Sequence, residues 1–150
     1  MKTYGLDAFC KMTFLSSPEF SPNGKRFCFT VSGADKEKNS YRSWIYELDE
    51  ETGKPRRLTG GGRERSFLFL DDDTILFPGD RDGDPKPGVG TKYYRLPLTG
   101  GEAEKAFTFP LSAEKLIPLA DGTYVVAAST VPGFEDLYLG KPERRDEYLK

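Results

Sequence analysis

Histidine is absent from the 150 residues. A Ser-His-Asp or Cys-His relay therefore cannot be built from this chain alone. The common His-containing zinc sites are excluded with it. Cysteine is nearly absent too. Cys10 and Cys28 are the only two, with no CxxC pair. Two such thiols are expected to be ordinary reduced residues of a cytosolic protein, and neither has an evident basic partner that would make it reactive. No block of basic residues occurs. The 22 Lys and Arg are interspersed with 24 Asp and Glu for a net charge of −2, so nucleic acid is not an expected partner. No apolar run approaches the ~18 residues of a membrane span. Asp7 and Lys11 interrupt the N-terminal stretch before it resembles a secretory signal.

What is present is turn chemistry and aromatic residues. Gly and Pro contribute 16 and 11 residues, which favours many turns over long helices. Aromatics are 13% of the chain, nearly all Phe and Tyr, and suit pleated, half-buried surfaces. With 37% hydrophobic and 31% charged residues, the core has to be economical.

A turn recurs three times. Phe20-Ser21-Pro22-Asn23-Gly24-Lys25, Phe69-Leu70-Asp71-Asp72-Asp73-Thr74 and Pro118-Leu119-Ala120-Asp121-Gly122-Thr123 have centres at 23, 72 and 121. Both intervals, 72 − 23 and 121 − 72, are 49. A strand-like run follows each turn: RFCFTV, ILFPG and YVVAAS. At this offset Phe27 aligns with Leu76 and Val125, and Cys28 with Phe77 and Val126. The units continue through SWIYELD and RRLTGGG in the first, TKYYRLPL and KAFTFP in the second, and DLYLG in the third. Alternation in Phe27, Phe29 and Val31 and in Trp44, Tyr46 and Leu48 gives each strand an apolar face. Phe27 and Phe29 are expected to point into an inter-blade core. Cys28 and Ile45 make the opposite face partly apolar as well, as when sheets are covered on both sides.

About four short strands per unit at this period describe propeller blades. An antiparallel sandwich with regular turns is the competing arrangement. The expected fold is therefore all-β: a partial β-propeller of about three four-stranded antiparallel blades, the last incomplete. Residues 1–14 form an N-terminal arm or short helix, 15–62 blade 1, 63–111 blade 2 and 112–150 the incomplete blade 3. Three blades do not close a ring, which typically takes four to eight. With Tyr148 and Leu149 beginning a further strand-like run, the chain is expected to be an N-terminal portion of a larger protein.

Other stretches carry little chemistry. Asp80-Arg81-Asp82-Gly83-Asp84 has alternate carboxylates, but Pro85 and Thr91 stand where a calcium loop needs Gly and Glu. Asp71-Asp72-Asp73 sits at a turn, where Asp is favoured for geometry. Gly60-Gly61-Gly62 lacks the Lys-Ser/Thr of a phosphate loop and suits a flexible crossing between blades, and Gly88-Val89-Gly90 a loop. No catalytic, cofactor-binding or metal-binding residue is assigned, and no cofactor.

In order, "FLSSPEFSPNGKRFCFTVS", "SWIYELDEETGKPRRLTGG", "SFLFLDDDTILFPGDRD" and "YYRLPLTGGEAEKAFTFP" resemble the N-terminal propeller of serine peptidases in the prolyl oligopeptidase superfamily. The bacterial acylaminoacyl-peptidase and dipeptidyl-aminopeptidase-like branch is the nearest in pattern. The resemblance covers nearly the whole chain and weakens after about Pro132. It implies a cytoplasmic parent in which the propeller caps a C-terminal α/β-hydrolase domain and restricts entry to short peptides, with residues 2–14 as an arm on that domain. The catalytic Ser, Asp and His and their GxSxG elbow would lie in that domain; no GxSxG occurs here. The expected partners are that hydrolase domain, the parent's peptide substrate and a second copy through open blade faces. Arg56, Arg57, Arg63 and Arg65 would either meet a peptide carboxylate in the channel or protect a solvated blade edge. The alternative is a non-catalytic propeller of the TolB or WD40 kind that binds a protein or glycan.

Overall fold

The computed structural model describes residues 6–81 and 90–129. The stretches DLYLG and RRDEYLK, residues Asp82 to Asp84 of the calcium-like run, and Gly88-Val89 fall outside them. A short 3-10 helix, Leu6–Lys11, leads into β1 (Thr13–Phe20), β2 (Phe27–Asp35), β3 (Ser40–Leu48) and β4 (Pro55–Arg57). These pair in sequence order as one antiparallel sheet. A second sheet has the same order in β5 (Leu68–Asp71), β6 (Thr74–Pro78), β7 (Thr91–Pro97) and β8 (Glu104–Phe109). β9 (Ala113–Pro118) and β10 (Tyr124–Ala128) form a third, two-stranded sheet. The fold is all-β, a partial propeller whose third sheet has two strands among the described residues.

The three repeated turns all join the first two strands of their sheets, and each is held by a side-chain carbonyl or carboxylate that takes a backbone N–H two residues on. Asn23 Oδ1 accepts from Lys25 N at 2.9 Å, Asp71 Oδ1 from Asp73 N at 2.9 Å and Asp121 Oδ1 from Thr123 N at 2.9 Å. Asn and Asp recur there because their short side chains reach their own backbone. Gly24 and Gly122, at φ 74° and 82°, supply the left-handed residue in the first and third turns.

Two apolar layers bind the sheets together. Cys28 and Ile45 of the first sheet pack with Phe69, Ile75, Phe77, Tyr94 and Leu96 of the second, joined by Phe67 and Leu98. Leu76 and Tyr93, on the other face of the second sheet, pack with Leu116, Tyr124 and Val126 of the third. Tyr93, Phe107 and Tyr124 form a ring column across that contact, with centroids 5.0 and 5.2 Å apart. Each fully buried Phe, Ile or Leu contributes ~1.5–3 kcal/mol of burial. The second sheet is thus covered on both faces, and most of the core belongs to it.

The register corrects one expectation. Phe27 pairs with Leu48, and Ile75 with Leu96. The structural offset between these hairpins is therefore 48 (75 − 27 and 96 − 48), one less than the turn spacing. A β side chain changes face with every residue, so a slip of one exchanges the faces. Phe27 and Phe29 correspond to Ile75 and Phe77, not to Leu76 and Pro78. They lie on the face of the first sheet turned away from the second, where Phe20, Phe27, Phe29 and Tyr46 form a ladder of rings. The face turned toward the second sheet carries Cys28 and Ile45, both fully buried. Trp44 and Tyr46 are half-buried on the open side, whereas Phe77 and Tyr94 are enclosed.

Candidate functional site

At the seam between the first two sheets the turns meet directly. Asn23 N donates to Asp72 Oδ1 at 2.8 Å, joining residues 49 apart in sequence. Beside them β3 directs Glu47 inward, next to Ile45 on the same face. The Glu47 side chain is only 9% exposed. Its Oε1 takes Arg26 Nη1 at 2.5 Å and its Oε2 takes Arg56 Nη2 at 2.6 Å. Arg26 also reaches Asp73 Oδ1 at 3.0 Å, and Arg56 Nη2 donates to Leu98 O at 3.3 Å. Burial alone would lower the Arg26 pKa, but the hydrogen bond and charge of Glu47 and the charge of Asp73 outweigh it and raise it. The group is an ionic clasp: two strands of the first sheet gripped to the second. It borders an open cleft of about 690 Å³. Both Glu47 oxygens are committed to guanidinium donors that do not release protons, so the clasp positions sheets and offers no acid–base pair.

A second cavity of about 250 Å³ is lined by Ser16, Thr30, Ser32, Tyr41, Ser43, Arg42 and Arg65. Ser16 Oγ and Thr30 Oγ1 are 2.7 Å apart, and Arg42 is held by Asp35 at 2.8 Å. β1 bulges between Ser16 and Glu19, with Ser17 at φ 51°. A third cavity, about 270 Å³, lies between the second and third sheets against Tyr93 and Leu116. Burial raises the Glu19 carboxyl there. The Ser16 and Ser17 hydroxyls have no histidine anywhere in the chain to activate them.

The other residues weighed from sequence have structural employment. Asp71, Asp72 and Asp73 are divided among a turn, the Asn23 bridge and the clasp. Asp80 pairs with Lys92 at 3.1 Å. Of the four arginines, Arg56 joins the clasp and Arg65 the second cavity, while Arg57 lies opposite Tyr46 on the open face. Arg63 bridges to Ser43 through its backbone. The glycine crossing is pinned rather than loose. Buried Glu64 accepts N–H bonds from Gly61, Gly62 and Arg63 at 3.1, 2.9 and 3.2 Å, and a Cβ at Gly61 would strike its Oε1. Cys28 is inert: burial first, then the nearby Glu47 charge, push its thiol pKa up to about 12 against the opposing pull of Arg26 and Arg56. Sequence reasoning missed the Glu47 and Glu64 contacts. An acidic residue alternating with apolar ones on β3, and an acidic residue two places after a glycine run, were their only signals.

Among the described residues no three of His, Cys, Asp and Glu gather as a metal would require. No helix there is long and apolar enough to cross a membrane.

No family model matches the chain. Over 138 residues it is 28% identical to the uncharacterized peptidase YuxL of Bacillus subtilis (strain 168). That match takes in 89% of this chain and 20% of the peptidase, so the chain spans about a fifth of the length of the curated relative it matches.

Proposed function

We propose that this chain is the substrate-gating propeller portion of a cytosolic serine peptidase that acts on short peptides, with the catalytic α/β-hydrolase domain outside these 150 residues. The observation that carries the reading is the match to one fifth of a peptidase by a chain that folds as successive blades and lacks histidine. The first strand of each sheet would line the channel. β1, an edge strand, is the strand incoming peptides would pass. On this reading the units run 15–62, 63–111 and 112–150 behind an arm of residues 1–14 that contacts the hydrolase domain. Two free thiols agree with a cytosolic setting.

A non-catalytic propeller binding a glycan or protein is the second reading, and the hydroxyl-lined cavity around Ser16 and Thr30 favours it. One experiment separates the two. The full-length protein is assayed on short chromogenic peptides before and after a serine-directed phosphonate, alongside the 150-residue chain. Phosphonate-sensitive turnover by the full-length protein and none by the chain is expected. A full-length protein without such turnover, or a chain that turns over alone, refutes the peptidase reading.

A further inference from the structure

Asn23 and Asn39 are the only side-chain amides in the sequence, which has no glutamine. Asn23 is followed by glycine. A glycine nitrogen has no side chain beside it, so it can approach the preceding carboxamide carbon more closely than any other residue's. The three repeated turns supply a comparison. Asn23, Asp71 and Asp121 hold the same place, each accepting the N–H two residues on. Asp71 is followed by Asp72, whose side chain hinders such an approach. Asp121 is followed by Gly122, but the Thr123 hydroxyl and N–H favour its ionised form, which offers no leaving group. Among these turns, only the first joins a carboxamide to a glycine.

In the folded chain that reaction is latched. Gly24 N donates to Ser21 O at 2.8 Å, so the proton that must leave before the nitrogen attacks is held. Ser21 is buried. Its hydroxyl accepts Arg26 N at 3.1 Å and donates to Asn23 Oδ1 at 2.8 Å. Asn23 N donates to Asp72 Oδ1 at 2.8 Å, which ties the turn to the second sheet. Ser21 Oγ and Lys25 N both polarise the Asn23 carbonyl, so its carbon is ready for attack. The barrier therefore lies in freeing Gly24 N–H, and that requires the turn to open.

We propose that Asn23 is a deamidation site held shut by Ser21 in its own turn and by Asp72 of the next sheet, and released when the seam between the sheets opens. Hydroxide takes the Gly24 amide proton, and the nitrogen forms a bond to Asn23 Cγ. Nδ2 leaves as ammonia, taking a proton from water, and a succinimide remains. Water then opens either carbonyl, leaving an aspartyl or an isoaspartyl residue at position 23. The aspartyl product has the carboxylate that Asp71 and Asp121 already use, and it keeps the turn. The isoaspartyl product lengthens the backbone by one methylene and sets a free carboxylate beside Asp72 and Asp73. The seam cannot close as before, so one opening is recorded in the covalent structure. This site goes beyond the peptidase reading and does not depend on it.

Peptide mapping by mass spectrometry at mildly alkaline pH follows deamidation, and NMR follows Gly24 N–H exchange in the same samples. Native chain is expected to deamidate at Asn23 roughly tenfold to a hundredfold slower than chain unfolded in urea, since at least two modest hydrogen bonds must open first. Ser21→Ala and Asp72→Ala should each raise Gly24 exchange and Asn23 deamidation together, by several-fold. Ser21→Thr, which keeps the hydroxyl, should leave both near the native rate. Asn39, in another hairpin, is the internal control and should not change. The isoaspartyl chain, separated by ion exchange, should melt lower than the unmodified one. Should Ser21→Ala fail to fold, Asp72→Ala, outside the apolar core, still tests the latch. Equal rates in native and unfolded chain would overturn the proposal. So would faster Gly24 exchange without faster deamidation, an Asn39 rate that rises in step, or an isoaspartyl chain that melts as high as the original.

Discussion

Replacing Phe77 and Phe27 by alanine, one at a time, distinguishes the observed register from the one that the turn spacing implies. Phe77 is fully buried between the first two sheets, stacked on Tyr94 with ring centroids 5.9 Å apart and packed with Cys28 and Ile45. Its truncation removes the whole transfer energy of a phenyl group and leaves a cavity between two sheets that cannot close easily. Phe→Ala substitutions of this kind cost ~3–5 kcal/mol. Phe27 is half-buried on the open face. It loses part of the transfer term and leaves no enclosed cavity, so ~1–2 kcal/mol is expected. Against a net stability of ~5–15 kcal/mol, the first change brings the fold to its limit and the second leaves it standing. Urea unfolding followed by Trp44 fluorescence and far-UV circular dichroism measures both, at dilution low enough that association does not cover Phe27. A Phe27→Ala cost equal to or above that of Phe77→Ala would refute the face assignment and the 48-residue offset beneath it.

Three further outcomes are expected. Gly24→Val should cost ~1 kcal/mol or more, from backbone strain alone: Gly24 sits at φ 74° with open space around its missing Cβ, and a β-branched residue resists that conformation. Unchanged melting would contradict the turn. Native protein at pH 8 should give one reactive thiol, Cys10, with Cys28 labelled only after unfolding, since its pKa is pushed up to about 12; rapid labelling of both would refute the burial of Cys28. Asp121 should titrate below its ordinary 3.8, because the Thr123 hydroxyl and then the Thr123 N–H favour its charged form. A lowered folded value means the turn's contribution is complete above the ordinary pKa and is lost as pH falls through the lowered one. Carboxylate NMR titration should show this, with Thr123→Val returning Asp121 toward the ordinary value, and an unshifted Asp121 would contradict it.

The hairpins were legible in the sequence because turn chemistry is local. Asn23-Gly24, Asp71-Asp72-Asp73 and Asp121-Gly122 each act on a backbone two residues away, and all three turns fall where the spacing puts them. The strand alternation was legible as well, but its assignment to faces was not. Between Phe69 and Asp71, β5 shifts register against β6, and one residue at a hairpin reverses every side chain beyond it. No feature of Phe27 or Cys28 alone reveals which faces the next sheet. The Arg26–Glu47–Arg56 clasp was hidden for a different reason. Its members lie 9 to 30 residues apart and are brought together only by strand pairing, so their charges read as three ordinary surface groups. The triple glycine suggested looseness because an acidic residue two places on is too weak a signal that the Glu64 carboxylate would gather its N–H groups.

The proposed reading makes these sheets successive blades of a larger propeller, whose other blades would cover the two end faces. Thermal melting with light scattering, on the 150-residue chain and on a chain extended through a full propeller, tests it most directly. Each large apolar side chain left uncovered forgoes up to ~1.5–3 kcal/mol. The shorter chain is therefore expected to melt lower and to associate, and the extended one to melt higher as a monomer. A monodisperse 150-residue monomer that melts as high as the extended chain would contradict the claim.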